Sequence, residues 1–109
     1  MTAKPVVPRA QATADVENAI DHYLAEQAPD AALGFVEALA QAYGHISRNV
    51  ATGSPRYAHE LDLPGLRSWP LATYPFLVFY LERDDHIDVW RVLHNQRDIP
   101  RRMAEPESR

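Results

Sequence analysis

The hydrophobic positions change period part-way along the chain. In the first half, Val16, Ile20, Tyr23 and Leu24 recur at helical spacing and mark one stripe of an amphipathic helix. Thr13 is its candidate N-cap. Asp15 and Glu17 fall in the first turn, where the helix dipole favours negative charge. Gln27-Ala28-Pro29 ends the helix, because a residue before proline is pushed out of the α region. A second helix starts near Asp30. Its buried face is expected to carry Leu33, Val36, Leu39, Ala40, Tyr43 and Ile46, widened by Phe35 and Ala42. The short break between the two implies an antiparallel helical hairpin.

The second half reads as strands. Tyr74 to Leu81 is apolar on both faces, as in a strand covered on both sides. The polar turn Arg83-Asp84-Asp85-His86 follows, then a mixed run from Ile87, so the two runs form a β-hairpin. By period-2 alternation, Ile87, Val89, Arg91 and Leu93 point one way, and Asp88, Trp90, Val92 and His94 the other. Leu66 to Thr73 reads as a further strand, with Arg67, Trp69, Leu71 and Thr73 on one face. Pro70 confines it to an edge or a bulge. His59 to Leu63 has short extended character, and Ala51 to Pro55 is a loop. Val6 and Val7, between Pro5 and Pro8, suggest a short edge strand or extended arm.

Helices followed by a run of antiparallel strands specify an α+β fold. The expectation is an N-terminal helical hairpin packed on a twisted antiparallel sheet of three to four strands. It forms a single domain over residues 1–100, with a polar tail over 101–109. The sheet face away from the helices needs cover, from curling of the sheet or from a partner.

Composition narrows the picture. With 109 residues the chain suits one domain, since domains are commonly about 100–150 residues. There is no cysteine, which excludes disulfides and thiol chemistry and fits a cytoplasmic protein. No apolar run approaches the roughly 20 residues of a membrane span, and no signal peptide opens the chain. The formal net charge of −4 argues against binding bulk nucleic acid by charge alone. The charge is uneven. Residues 1–82 hold five basic and nine acidic side chains, whereas residues 83–109 hold six arginines and six acids. Lys4 is the only lysine.

Candidate chemistry is sparse. The five histidines form no metal-ligand spacing, and Asp84-Asp85-His86 reads as a solvated turn. No nucleophile motif and no phosphate-binding glycine loop is present, and no cofactor is implied. One cluster remains. Arg67, Arg91, His94 and Arg97 are able to converge on adjacent strands, where they would neutralise a scissile phosphate and supply a general acid. Alternatively, Arg67 and Arg91 pair with acids such as Glu60, Asp62 or Asp88 and anchor the sheet. Trp69 and Trp90 are core residues by default. Trp90 shares its face with His94 and is a candidate partner contact.

Several segments carry a resemblance in order along the chain. Lys4-Pro5-Val6-Val7-Pro8-Arg9-Ala10 with Asp15-Val16 resembles the opening of the ParE toxins, within the RelE/ParE superfamily of bacterial toxin–antitoxin systems. Gly65-Leu66-Arg67 and Tyr74-Pro75-Phe76-Leu77-Val78-Phe79-Tyr80 resemble its inner strands. Arg91-Val92-Leu93-His94-Asn95-Gln96-Arg97-Asp98-Ile99 resembles its closing strand and tail. The resemblance implies a helical hairpin on a twisted antiparallel sheet. It also implies one of two targets. RelE-like members cleave mRNA on the ribosome with lysines, arginines and often a C-terminal tyrosine. ParE-like members bind and stall DNA gyrase without being nucleases. This chain has no lysine after Lys4 and no tyrosine after Tyr80, which favours the gyrase branch. Arg67, Arg91, His94, Arg97 and Trp90 are then the expected target-binding residues. A ParD-type antitoxin would neutralise the toxin in a hetero-oligomer, and operator DNA would be met only through that antitoxin. The competing expectation is a ribosome-dependent mRNA endoribonuclease.

Overall fold

The computed structural model describes residues 3–95. The elements run β1 (Val6–Pro8), α1 (Ala10–Ala25), α2 (Pro29–Arg48), α3 (Arg56–Glu60), β2 (Arg67–Pro70), β3 (Phe76–Glu82) and β4 (Ile87–His94). They form one four-stranded sheet in the order β1-β4-β3-β2 with helices on it, an α+β fold. The expected boundary at residue 100 and the tail over 101–109 lie outside the described residues.

The sheet is mixed rather than wholly antiparallel. β2, β3 and β4 form the expected antiparallel meander, but β1 runs parallel to β4, with Val6 beside Ile87 and Pro8 beside Val89. Pro5 and Pro8 bracket this strand and lack N–H groups, which suits an edge. The chain passes almost directly from β1 into α1. The helix therefore starts at Ala10, before Thr13, and Arg9 occupies the N-cap position with no side-chain cap. The end of α1 is a Schellman motif. Gln27 takes a left-handed φ of 57°, and the N–H groups of Gln27 and Ala28 donate to the carbonyls of Leu24 and Tyr23. Pro29 then opens α2, where its missing N–H costs nothing.

The buried stripe of α2 is Ala32, Phe35, Ala38, Leu39, Ala42 and Ile46. Leu39, Phe35, Ala42 and Ile46 were legible from spacing. Leu33, Val36 and Ala40, also expected inside, are exposed instead. At about 100° per residue Leu33 and Ala40 lie nearly opposite Phe35, and Val36 lies about a quarter-turn to its side, so all three leave the buried stripe.

Residues 78–80 alternate between the two sheet faces. Val78 and Tyr80 join the helix-side core with Phe35, Ile46, Val89 and Val92. Phe79 joins Leu66 and Leu93 on the opposite face. That second face is covered from within the chain, by Tyr57 and Ala58 of α3 and by Leu61 and Leu63 after it. The segment expected to be extended from His59 thus begins as the end of a short helix. β2 is shorter than expected, because the chain turns after Pro70 and Thr73 has a φ of 75°.

The β3–β4 hairpin turns at Arg83–His86 as predicted, with the Arg83 N–H donating to the His86 carbonyl. Its register slips once. Phe79 lies opposite Arg91 and Tyr80 opposite Val89, so Trp90 is an extra residue on β4, a β-bulge. The bulge breaks the simple alternation: Val89 and Val92, expected on opposite faces, share the helix-side core.

Candidate functional site

β4 outlasts β1, so beyond Val89 its outer edge has no strand beside it. α1 lies against that stretch, and Asp15 is the residue it presents. Its carboxylate accepts two hydrogen bonds from Arg91, Nε to Oδ2 and Nη2 to Oδ1, both at 2.8 Å. It also accepts the backbone N–H of Val92 at 3.0 Å. The bidentate geometry is the strong form of an arginine–carboxylate pair. Arg91 is only 5% exposed and Asp15 is similarly enclosed. Arg91 therefore does pair with an acid, though with Asp15 rather than Glu60, Asp62 or Asp88. A direct contact between Arg91 and a target would require it to leave that carboxylate. Nearby, burial, assisted by the negative charge of Asp15, pushes the Tyr43 hydroxyl up to about 12.

Arg67 is turned to the other end of the sheet. Its Nη1 donates to the carbonyls of Gly53 at 2.8 Å and Ala51 at 3.2 Å. Tyr80 secures the same loop, a 3₁₀ turn at Val50–Thr52. Its hydroxyl donates to the Val50 carbonyl at 2.7 Å and accepts the Gly53 N–H at 3.0 Å. Gly53 is required here, since a Cβ built on it would lie 2.2 Å from the Tyr80 oxygen. Arg67 and Arg91 thus serve separate partners, and His94, at the end of β4, packs edge-on against Phe76 at 5.3 Å. Arg97 lies outside the described residues.

Trp90 sits in a different cluster. The Arg9 guanidinium lies 4.1 Å above its ring, a cation–π contact. Its indole N–H donates to Asp88 Oδ2 at 3.2 Å. The same carboxylate accepts Arg9 through Nε and Nη2, each at 3.0 Å, and Arg83 through Nε at 3.1 Å and Nη2 at 2.9 Å. Burial alone would raise the Asp88 carboxyl. Hydrogen bonds from Arg9 and Arg83, with their positive charges, outweigh it and hold the group below the usual carboxylate range. Lys4 adds an adjacent exposed pair with Glu82 at 2.7 Å. The Arg9 and Arg83 side chains remain partly open to solvent, as does Trp90. Two arginines and an aromatic ring around one carboxylate make a preorganised contact surface.

The sequence held hints of both arrangements. Asp15 falls on the same helical stripe as Ala12, Val16 and Ala19, an acid in an apolar row. Asp88 and Trp90 are two apart on one strand, hence neighbours. The roles of Arg9 and Arg83 had no local signal, because one comes from the junction of β1 and α1 at the far end of the sequence and the other from a turn.

The family model for the ParE toxin of the type II toxin-antitoxin system, parDE, matches residues 6–99. The chain belongs to this family. It is the toxin component of a type II toxin–antitoxin system of the ParDE type. The matched span of this ParE-family chain runs from β1 through β4 and takes in Arg97. Among solved structures, the "Chromosomal ParDE TA system from P. aeruginosa" is similar, with a TM-score of 0.70 and 22% identity. The likeness covers 84% of this chain and 96% of that one, and at this identity it speaks for the fold. No curated protein matches the chain. Among the described residues, no helix is long and apolar enough to cross a membrane, and no cluster of three or more His, Cys, Asp or Glu forms a metal site.

Proposed function

We propose that this ParE-family toxin acts in the cytoplasm by binding and poisoning DNA gyrase, without chemistry of its own. A ParD-type antitoxin neutralises it in a hetero-oligomer, and operator DNA is met only through that antitoxin. The observation that carries the reading is where the two candidate catalytic arginines are used. Arg91 is enclosed by Asp15 and Arg67 by loop carbonyls, so among the described residues they are not gathered with His94 around a common point. RNA cleavage needs such a gathering, since the cations must meet one phosphate and the acid one leaving group. A binder needs only a complementary surface. Trp90, under the Arg9 guanidinium and hydrogen-bonded to Asp88, is the part of the expected target-binding set that offers one, with His94 and Arg97 following it along the chain. Trp and Arg are the side chains that most often dominate interface energetics.

The test is DNA supercoiling by purified gyrase, titrated with the toxin freed of antitoxin. Loss of supercoiling with accumulation of cleaved DNA is expected. Normal supercoiling together with mRNA cleavage in a translation extract would overturn the reading in favour of the ribosome.

A further inference from the structure

Charge is partitioned in this fold. Residues 10–47, which make up nearly all of the helical hairpin, contain six acids and no lysine or arginine. Asp15 is consumed by Arg91. The other five, Glu17, Asp21, Glu26, Asp30 and Glu37, are all exposed. The described lysine and arginines lie on the sheet, its connections, the start of α3 and the last residue of α2. Within the acidic field, α2 exposes two large apolar side chains, Leu33 at 61% and Val36 at 42%. With Ala40, their spacing places them on one outward face, beside Glu37.

We infer that the outward face of α2 docks a segment of the neutralising partner that is cationic as well as apolar. This rests on the antitoxin reading above and specifies the chemistry of the segment. Leu33 and Val36 supply the desolvated contact, while Asp30 and Glu37 face basic side chains. The alternatives fit less well. Nucleic acid and anionic lipid are repelled by five acids that no lysine or arginine within residues 10–47 offsets. A second copy using the same face in a two-fold pair would bring acids against acids.

The toxin is titrated calorimetrically with its ParD-type antitoxin, at low and at high salt. Two double variants are compared with the natural chain, Leu33→Ser with Val36→Ser, and Asp30→Lys with Glu37→Lys. All four positions are exposed, so melting temperatures close to the natural value are expected, lowered slightly in the charge-reversed variant because Asp30 lies in the first turn of α2, where the helix dipole favours an acid. Each double variant should raise the Kd about tenfold or more, as loss of a central contact does. Affinity of the natural toxin should fall with salt, and the charge-reversed variant should lose that dependence. If the antitoxin binds and both variants keep natural affinity and salt dependence, the docking face is wrong while neutralisation stands. If the antitoxin does not bind the natural toxin at all, both fail. A salt-insensitive homodimer that the Leu33→Ser, Val36→Ser variant abolishes would overturn the inference in favour of a second copy.

Discussion

Replacing Arg91 by alanine separates a structural arginine from a target-binding one. The substitution leaves the Asp15 carboxylate enclosed, with the Val92 N–H still donating but the two 2.8 Å guanidinium bonds gone. Breaking a buried pair by removing one partner costs about 3–5 kcal/mol, because the remaining charge stays desolvated. That is a large share of the roughly 5–15 kcal/mol by which domains are stable. The unfolding entropy near 60 °C is about 2.1 cal/mol/K per residue, which for 109 residues gives roughly 0.23 kcal/mol/K. The melting temperature should therefore fall by about 13–22 °C. Replacing Asp15 alone should cost a similar amount. Removing both should cost clearly less than the sum, since the second change relieves the unpaired charge left by the first. Urea denaturation and calorimetry of the four proteins measure this cycle. A melting temperature within about 3 °C of the natural value for Arg91→Ala would refute the reasoning. If such a stable variant also failed to inhibit gyrase, Arg91 would be a contact residue that leaves Asp15 on binding.

Other outcomes follow from the same geometry. Tyr80→Phe should destabilise by about 1–3 kcal/mol in urea, because the Val50 carbonyl and the Gly53 N–H lose their shared hydroxyl. Trp90→Ala combined with Arg83→Ala should weaken gyrase inhibition in the supercoiling assay by about tenfold or more, whereas retained potency would remove this cluster from the target surface. In alkali, the Tyr43 phenol should ionise at about 12. Its folded value is raised, so its stabilising contribution is complete below about pH 10 and is lost as pH rises through 12. Phenolate absorbance compared with Tyr43→Phe would show this. Asp88 behaves oppositely. Its folded value is depressed, so its contribution is present above the ordinary carboxylate value near 4 and disappears as pH falls through the folded value. Asp88→Asn should flatten the acid limb of the stability curve.

The sequence by itself determined the elements with strong periodicity and the family. The 3.6-residue spacing placed two helices, Pro29 marked the break between them, and a polar turn between two apolar runs located the β3–β4 hairpin. These signals are local, and local backbone preference decides them. Tertiary structure decided what depends on distant segments meeting. The pairing of β1 with β4 links Val6 to Ile87, and no periodicity announces a parallel partner so far along the chain. The bulge at Trp90 arises from register across two strands and shifts which side chains reach which core. Leu33 and Val36 are as apolar as Leu39, and only the angle at which α2 meets the sheet leaves them outside. The candidate site divides in the same way. The sequence singled out Arg67, Arg91, His94 and Trp90 by residue type. Whether each meets solvent or an internal partner was fixed by Asp15, Gly53, Phe76 and Arg9, which lie 14 to 81 residues away in the sequence. An arginine's role depends on the nearest carboxylate, and folding alone determines which carboxylate that is.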